Sequence, residues 1–242
     1  MAWSLFRPLA QLAVYYFAIG QVLGVARSIP NFAVFVFVGL TGWTLHSEIV
    51  SNSTKSMIVN SGLVKKVYVP REVFPLAGVG AALFGLLVQL VVLVIAFSLL
   101  RDFPPVGGLG YAVVSIALIV VFATALGLLL SALNVYLRDV EHIVEVMLIV
   151  LFWGSPIVYS FSFVHDTLNG GLLEQLYLSN PVTLAILGLQ QGLWAGSVDS
   201  TVSFAPANLS TMLAIALAAS LLLLWIAQRV FARLQGNFAQ EL

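Results

Sequence analysis

Residues 74–100 read FPLAGVGAALFGLLVQLVVLVIAFSLL, with no Asp, Glu, Lys or Arg among them. A helix of about 20 apolar residues spans the hydrocarbon core of a bilayer, and within lipid every backbone polar group must be bonded inside the segment. A water-facing helix needs a polar stripe, whereas this stretch offers only Gln89 and Ser98 as polar side chains. It therefore reads as a transmembrane helix. The rest of the chain supports that reading, since 61% of its 242 residues are hydrophobic and 8% are charged. Soluble domains carry about 25% charged residues, because a water-facing surface has to be covered.

Working outward with the same window gives five further segments: residues 5–25, 32 to about 50, 109–133, 143 to about 163, and 209–230. The expected fold is all-α, a single domain over residues 1–242. It is a polytopic membrane protein with about six transmembrane helices, short helices on one face and short re-entrant helices on the other. The start does not read as a cleavable signal: Arg7 and Pro8 lead into a long apolar run with no small-residue cleavage site. Orientation follows from Lys and Arg, which concentrate on the cytoplasmic side. Arg7, Lys55, Lys65, Lys66, Arg71, Arg138, Arg229 and Arg233 fall on one side, and only Arg27 and Arg101 on the other. Both termini are expected in the cytoplasm. The stretch 166–206 has no Lys or Arg, as an external position requires.

Several function classes lose support at once. The formal net charge is +0, which offers nucleic acid no basic surface. With no Cys there is no thiol chemistry, and His46, His142 and His165 have no ligand spacing around them, so no metal is expected. No phosphate loop, nucleophile elbow or H-E-x-x-H pattern occurs. If ATP drives this protein, another chain has to bind it.

Residues 51–75, SNSTKSMIVNSGLVKKVYVPREVFP, are the most informative connection. They suit a short amphipathic helix at the cytoplasmic face that docks into a partner's groove; a basic loop that only obeys the charge rule is the plain alternative. Pro70 and Pro75 bracket the start of the next span, where the first N–H groups have no helical partner. In NVYLRDVEHIV, residues 134–144, the charges Arg138, Asp139, Glu141 and His142 belong at an interface, because each would cost about 2.5–3.5 kcal/mol at mid-bilayer. This is a second cytoplasmic contact or a tight polar turn. His46 and Glu48 fall late in the second span, where a solvated or loop-paired carboxylate competes with a functional one. Gln11, Gln21 and Gln89 are candidates for hydrogen bonds between helices.

From Phe152 the chain reads FWGSPIVYSFSF, and Gly154 and Pro156 break the helix. Broken backbone at membrane depth is tolerated only where protein or a water-filled cavity satisfies it. Trp153, Tyr159, Phe161 and Phe163 form an anchoring belt or face a conduit, where sugar C–H faces pack on π-faces. Residues 172–178 and 182–194, on either side of Asn180 and Pro181, read as two short amphipathic helices dipping into the outer leaflet.

Taken together, several blocks resemble the permease subunits of type-2 ABC exporters, in particular the polysaccharide and polyol-phosphate group that exports O-antigen and teichoic acid. They are AWSLFRPLAQLAVYYFAIGQVLG from Ala2, residues 31–76, LNVYLRDVEHIVEVMLIVLFWGSPIVY from Leu133 with its N-x-x-x-RD turn and SP-[IV]-x-Y segment, LSNPVT, and the tail RLQGNFAQEL. The resemblance covers essentially the whole chain in order. It implies a homodimer around a central conduit and one ATP-binding subunit per permease, with ATP and magnesium held on that partner and no cofactor in this chain. It implies a lipid-linked glycopolymer moved outward across the bacterial inner membrane. It places Asn60, Ser61, Gly62, Leu63, Val64, Lys65 and Lys66 in the main coupling region, and Arg138, Asp139 and Glu141 at a second one. Tyr15, Tyr16, Trp43, Trp153, Tyr159 and Phe161 are the expected conduit or exit residues. The family's pattern carries about 30 residues more ahead of this start, including an amphipathic helix along the membrane surface, so that interface helix is expected to be missing here. A drug or lipo-oligosaccharide exporter has the same architecture. A membrane enzyme on lipid-linked sugars would need His or Asp pairs facing a cavity, and a proton-coupled carrier would need acids in mid-span.

Overall fold

The computed structural model describes residues 2–27, 29–66, 70–101, 103–104, 106–168, 170–194 and 205–238. Helix α1 (Ala2–Tyr15) runs into a π-helical stretch, Tyr16–Val22, and a short 3₁₀ turn, Val25–Arg27. Then come α2 (Phe32–Val59), α3 (Ser61–Lys66), α4 (Val73–Leu100), α5 (Val106–Tyr136), α6 (Val140–Trp153), α7 (Phe161–Leu168), α8 (Leu172–Leu178), α9 (Pro181–Leu193) and α10 (Leu209–Leu234). Helices α2, α4, α5 and α10 are each long and apolar enough to cross a membrane. Helices α8 and α9, bent by 76° at their junction, add a fifth crossing if taken together, or form a re-entrant hairpin. The chain is an all-α, multi-pass membrane protein.

Helices α2 and α5 form the centre, with α4 packed on α2, α10 on α5, and α9 wedged among α2, α5 and α10. Within its most apolar window α2 is 72% buried, against 22% for α4 and for α10. Lipid is the solvent for α4 and α10, so their apolar faces stay outward, while α2 is enclosed by protein. A larger cluster of buried side chains joins α2, α4, α5 and α9. A second, separate one gathers Met57, Val64, Val135, Phe231 and Phe238 at the lysine- and arginine-rich end.

The structure differs from the sequence expectation at α2 and at α9. The second span does not end near residue 50; α2 continues to Val59. Three hydroxyls of the polar run that suggested a loop are buried and bonded: Thr54 Oγ1 donates to the Val50 carbonyl at 2.7 Å, Ser56 Oγ to Ser53 at 2.7 Å, and Ser53 Oγ to Pro75 of α4 at 3.0 Å. The break expected at Gly154 and Pro156 is present: the helix of the fifth segment stops at Trp153, with Gly154 as its C-cap. Finally, α9 is not amphipathic: Val182 through Gln190 are all buried, Thr183 and Gln190 included, because neighbours enclose it on every side.

Helix packing in lipid depends on small residues that let backbones approach. At the α5–α9 crossing, a Cβ on Gly192 would lie 2.7 Å from the Ala112 amide nitrogen and 2.8 Å from the Gly108 carbonyl oxygen. Backbone atoms do not yield as a side-chain tip does. Gly192→Ala is therefore expected to destabilise the fold by about 1–3 kcal/mol, read as a lower midpoint of thermal aggregation in detergent. Gly62→Ala, where no atom lies within 4 Å, should leave that midpoint unchanged.

Candidate functional site

At the basic end, Asn60 closes α2: its backbone N–H bonds back to Ser56, and its side-chain amide donates to the same carbonyl at 2.8 Å. Leu63 and Val64 N–H both bond to the Asn60 carbonyl, which starts α3 at once. The short helix expected somewhere in 51–75 is thus Ser61–Lys66. Val64 is buried in the lower cluster, whereas Leu63 is 53% exposed and Val59 76% exposed. Two apolar side chains are therefore presented outward beside Gly62, at the end where charge is concentrated.

The second connection is tied to the first. Asn134, wholly buried on α5, donates from Nδ2 to the Thr54 carbonyl at 3.1 Å and accepts the Glu141 backbone N–H on Oδ1 at 3.2 Å. One side chain thereby joins the ends of α2 and α5 to the first turn of α6, whose N–H groups have no helical partner. Lys55 adds an ionic tie, 3.1 Å from Glu141 and 2.8 Å from Glu145. A half-exposed ion pair of this kind contributes only about 0–1 kcal/mol, so its effect is geometric: it fixes α6 against α2. Arg138 and Asp139 are exposed in the turn, and Asp139 occupies the N-cap of α6 with no side-chain capping bond. Leu137, beside them, is 62% exposed.

Toward the other end, the broken backbone after α6 is satisfied by protein. Buried Gln190 of α9 donates from Nε2 to the Pro156 carbonyl at 2.7 Å, and Ser155 Oγ bonds to Leu151. Tyr159 OH donates to the Trp153 carbonyl at 2.9 Å, and Tyr177 OH reaches Tyr159 OH at 3.4 Å. Of the expected conduit residues, Tyr15, Trp43 and Trp153 converge on Phe152, with ring centroids 5.6, 5.5 and 5.5 Å away. Tyr16 packs instead on Phe32, and Phe161 lies buried beside His165. The α-to-π change at Tyr16 falls between Tyr15 and Tyr16 and separates their directions; π segments recur at functional positions.

His46 and Glu48 lie in the middle of α2, not at its end, because α2 is longer than expected. The His46 ring is wholly buried, stacked on Phe122 at 5.9 Å, and neither ring nitrogen has a hydrogen-bond partner among the described residues. The Glu48 carboxylate faces α4 at Gly85. Gln21 bonds within its own segment, to Tyr16 OH, rather than between helices, and Gln89 is buried with Oε1 unpartnered among the described residues.

His165 of α7 meets Glu174 of α8 at 2.9 Å, and Glu174 also accepts the Gly170 N–H at 2.8 Å. The hydrogen bond and charge of Glu174 raise the His165 pKa above its ordinary value of 6.5. A raised folded-state pKa means that the contact is fully present below pH 6.5 and is lost as pH climbs through the folded value. Amide exchange at Gly170 should quicken as pH rises through that window, after correction for intrinsic rates, and His165→Gln should abolish the excess.

Four participants, Lys55, Asn134, Phe152 and Gln190, stand outside the patterns that mark the site in the sequence. Lys55 stands in the sequence only as a basic charge, and Asn134 only as part of the N-x-x-x-RD turn. Glu141 and Glu145, one turn apart on α6, were the available signal, since side chains at that spacing share a face and can close on one cation. Phe152 and Gln190 carried no signal, being ordinary in apolar runs.

The described helices thus form a multi-pass bundle with two tied connections at its basic end and a broken helix opposite. The ABC-2 type transporter family model matches residues 1–194, and the chain belongs to that family. Among curated relatives it is similar to the O-antigen export system permease protein RfbA of Klebsiella pneumoniae, 30% identical over 165 residues, 68% of this chain and 62% of that protein. It is also similar to the RfbA permease of Myxococcus xanthus, 26% identical over 240 residues, 99% of this chain and 86% of the relative. The chain thus matches somewhat less than two thirds of the length of the Klebsiella relative.

Proposed function

We propose that this chain is the membrane-spanning subunit of an ATP-driven exporter that moves lipid-linked O-antigen or a related polysaccharide outward across the bacterial inner membrane. Both termini and the basic end face the cytoplasm, as the placement of Lys and Arg favours. There, α3 and the turn at Arg138–Asp139 dock on a separate ATP-binding chain that holds ATP and magnesium. Two copies of the permease enclose the conduit, and the aromatic group around Phe152, with Tyr159, offers π-faces and hydroxyls to a sugar chain. The observation that carries this reading is the exposed pair Val59 and Leu63, apolar knobs beside Lys65 and Lys66 at an end that charge keeps out of the lipid. The export of O-antigen named for the relatives gives the substrate class.

Bacteria from which this chain has been deleted are expected to lose O-antigen from the cell surface and to accumulate the lipid-linked polymer on the inner face, both reversed by restoring the chain. Surface polymer that persists unchanged in the deletion would refute the substrate class.

A further inference from the structure

The C-terminal segment turns back into the protein. After α10 a 3₁₀ turn, Gln235–Asn237, delivers Phe238 into the lower cluster, where its side chain is wholly buried. Its ring meets Phe231 of α10 edge-on at 5.5 Å and Tyr136 of α5 at 6.0 Å, and the Arg71 guanidinium stands 5.9 Å from its centroid. Tyr136 OH donates to the Leu234 carbonyl at 3.0 Å, which pins the turn that aims the ring. The same cluster contains Met57 from the end of α2 and Val64 from α3.

A six-residue helix cannot hold itself together, since helix nucleation is unfavourable and such short helices depend on tertiary packing. Among the described residues α3 buries one apolar side chain, Val64, and it buries it in this cluster. Arg71, in the connection that leaves α3 for α4, is held over the same ring. The base on which α3 rests is therefore completed by a residue from the far end of the chain. We propose that Phe238 is a positioning residue for α3: it fixes the angle and rigidity with which α3 meets its partner, and so links the C-terminal segment to coupling. This inference rests on the reading of α3 as the docking helix. It does not require Phe238 to touch a partner.

The test uses the full chain assembled with its ATP-binding partner in lipid nanodiscs. Phe238→Ala is expected to speed amide exchange across residues 61–66 about tenfold, while α4 and α9 stay within about twofold, because exchange reports local opening. Stimulation of ATP hydrolysis by lipid-linked polymer should fall at least about threefold. Phe238→Leu, which refills most of the volume, should recover the larger part of both. Unchanged exchange at 61–66 in Phe238→Ala would overturn the inference. So would faster exchange spread equally over α4 and α9, which marks general loosening. If 61–66 loosens as expected but the unaltered assembly neither hydrolyses ATP nor responds to polymer, the docking reading fails while the dependence of α3 on Phe238 stands.

Discussion

Asn134→Ala is expected to be the most damaging single truncation at the basic end, lowering stability by about 2–4 kcal/mol. Asn134 is buried and serves two partners, the Thr54 carbonyl and the Glu141 N–H. The second of these is a first-turn N–H with no helical acceptor, so the side chain caps α6 from seven residues away. Truncation removes that cap, the bond to α2 and the packing together. Asn134→Asp separates these effects. It is nearly isosteric and keeps an acceptor for Glu141, but it sets a carboxylate oxygen against the Thr54 carbonyl and buries a charge. It should be at least as damaging as alanine despite the better fit. Thermal unfolding in detergent, with the Lys55→Ala variant as a mild comparison, checks the order: Lys55→Ala should cost less than about 1 kcal/mol.

The second large effect is functional. Reversing both charges, Lys65→Glu with Lys66→Glu, is expected to weaken association with the ATP-binding partner on the order of 100-fold while leaving the permease folded. The apolar knobs Val59 and Leu63 would still be presented, but a like-charged rim opposes encounter and docking. Association of the unaltered protein should weaken with salt, as screened surface charges require, whereas that of the reversed variant should strengthen, because salt screens its repulsion. Affinity measured at two ionic strengths by surface-immobilised permease decides it. Equal affinity for both proteins would remove α3 and its lysines from the docking face.

How much of this was legible in the sequence depended on the range of the interaction. Helix α4 was plain because it is apolar along its whole length and faces lipid. The polar run after Val50 misled for the opposite reason: the hydroxyls of Ser53, Thr54 and Ser56 are satisfied by carbonyls of α2 and by Pro75, so these three residues, which look solvated, lie buried in a continuous helix. Periodicity fails for α9, which has no polar face to reveal. The ties that organise the basic end, Lys55 to Glu141 and Glu145, Asn134 to Thr54, and Phe238 to Tyr136, join residues far apart in the chain. No local pattern encodes them. Gly154 and Pro156 announced the break after α6, but not that Gln190 would satisfy it. Tyr15, Trp43 and Trp153 stand out in the sequence as aromatics in apolar surroundings, whereas Phe152, the neighbour that gathers them, is one more apolar position.

In the proposed exporter this chain supplies a path and a docking face while a second chain supplies the energy. Purified permease in proteoliposomes, loaded with lipid-linked O-antigen on the outer face equivalent to the cytoplasm, measures it most directly. ATP hydrolysis and movement of polymer to the lumen should both require the ATP-binding chain and fall together in the doubly reversed Lys65 and Lys66 variant. Hydrolysis by this polypeptide alone, or polymer transfer that proceeds at the same rate without the partner, would contradict the account.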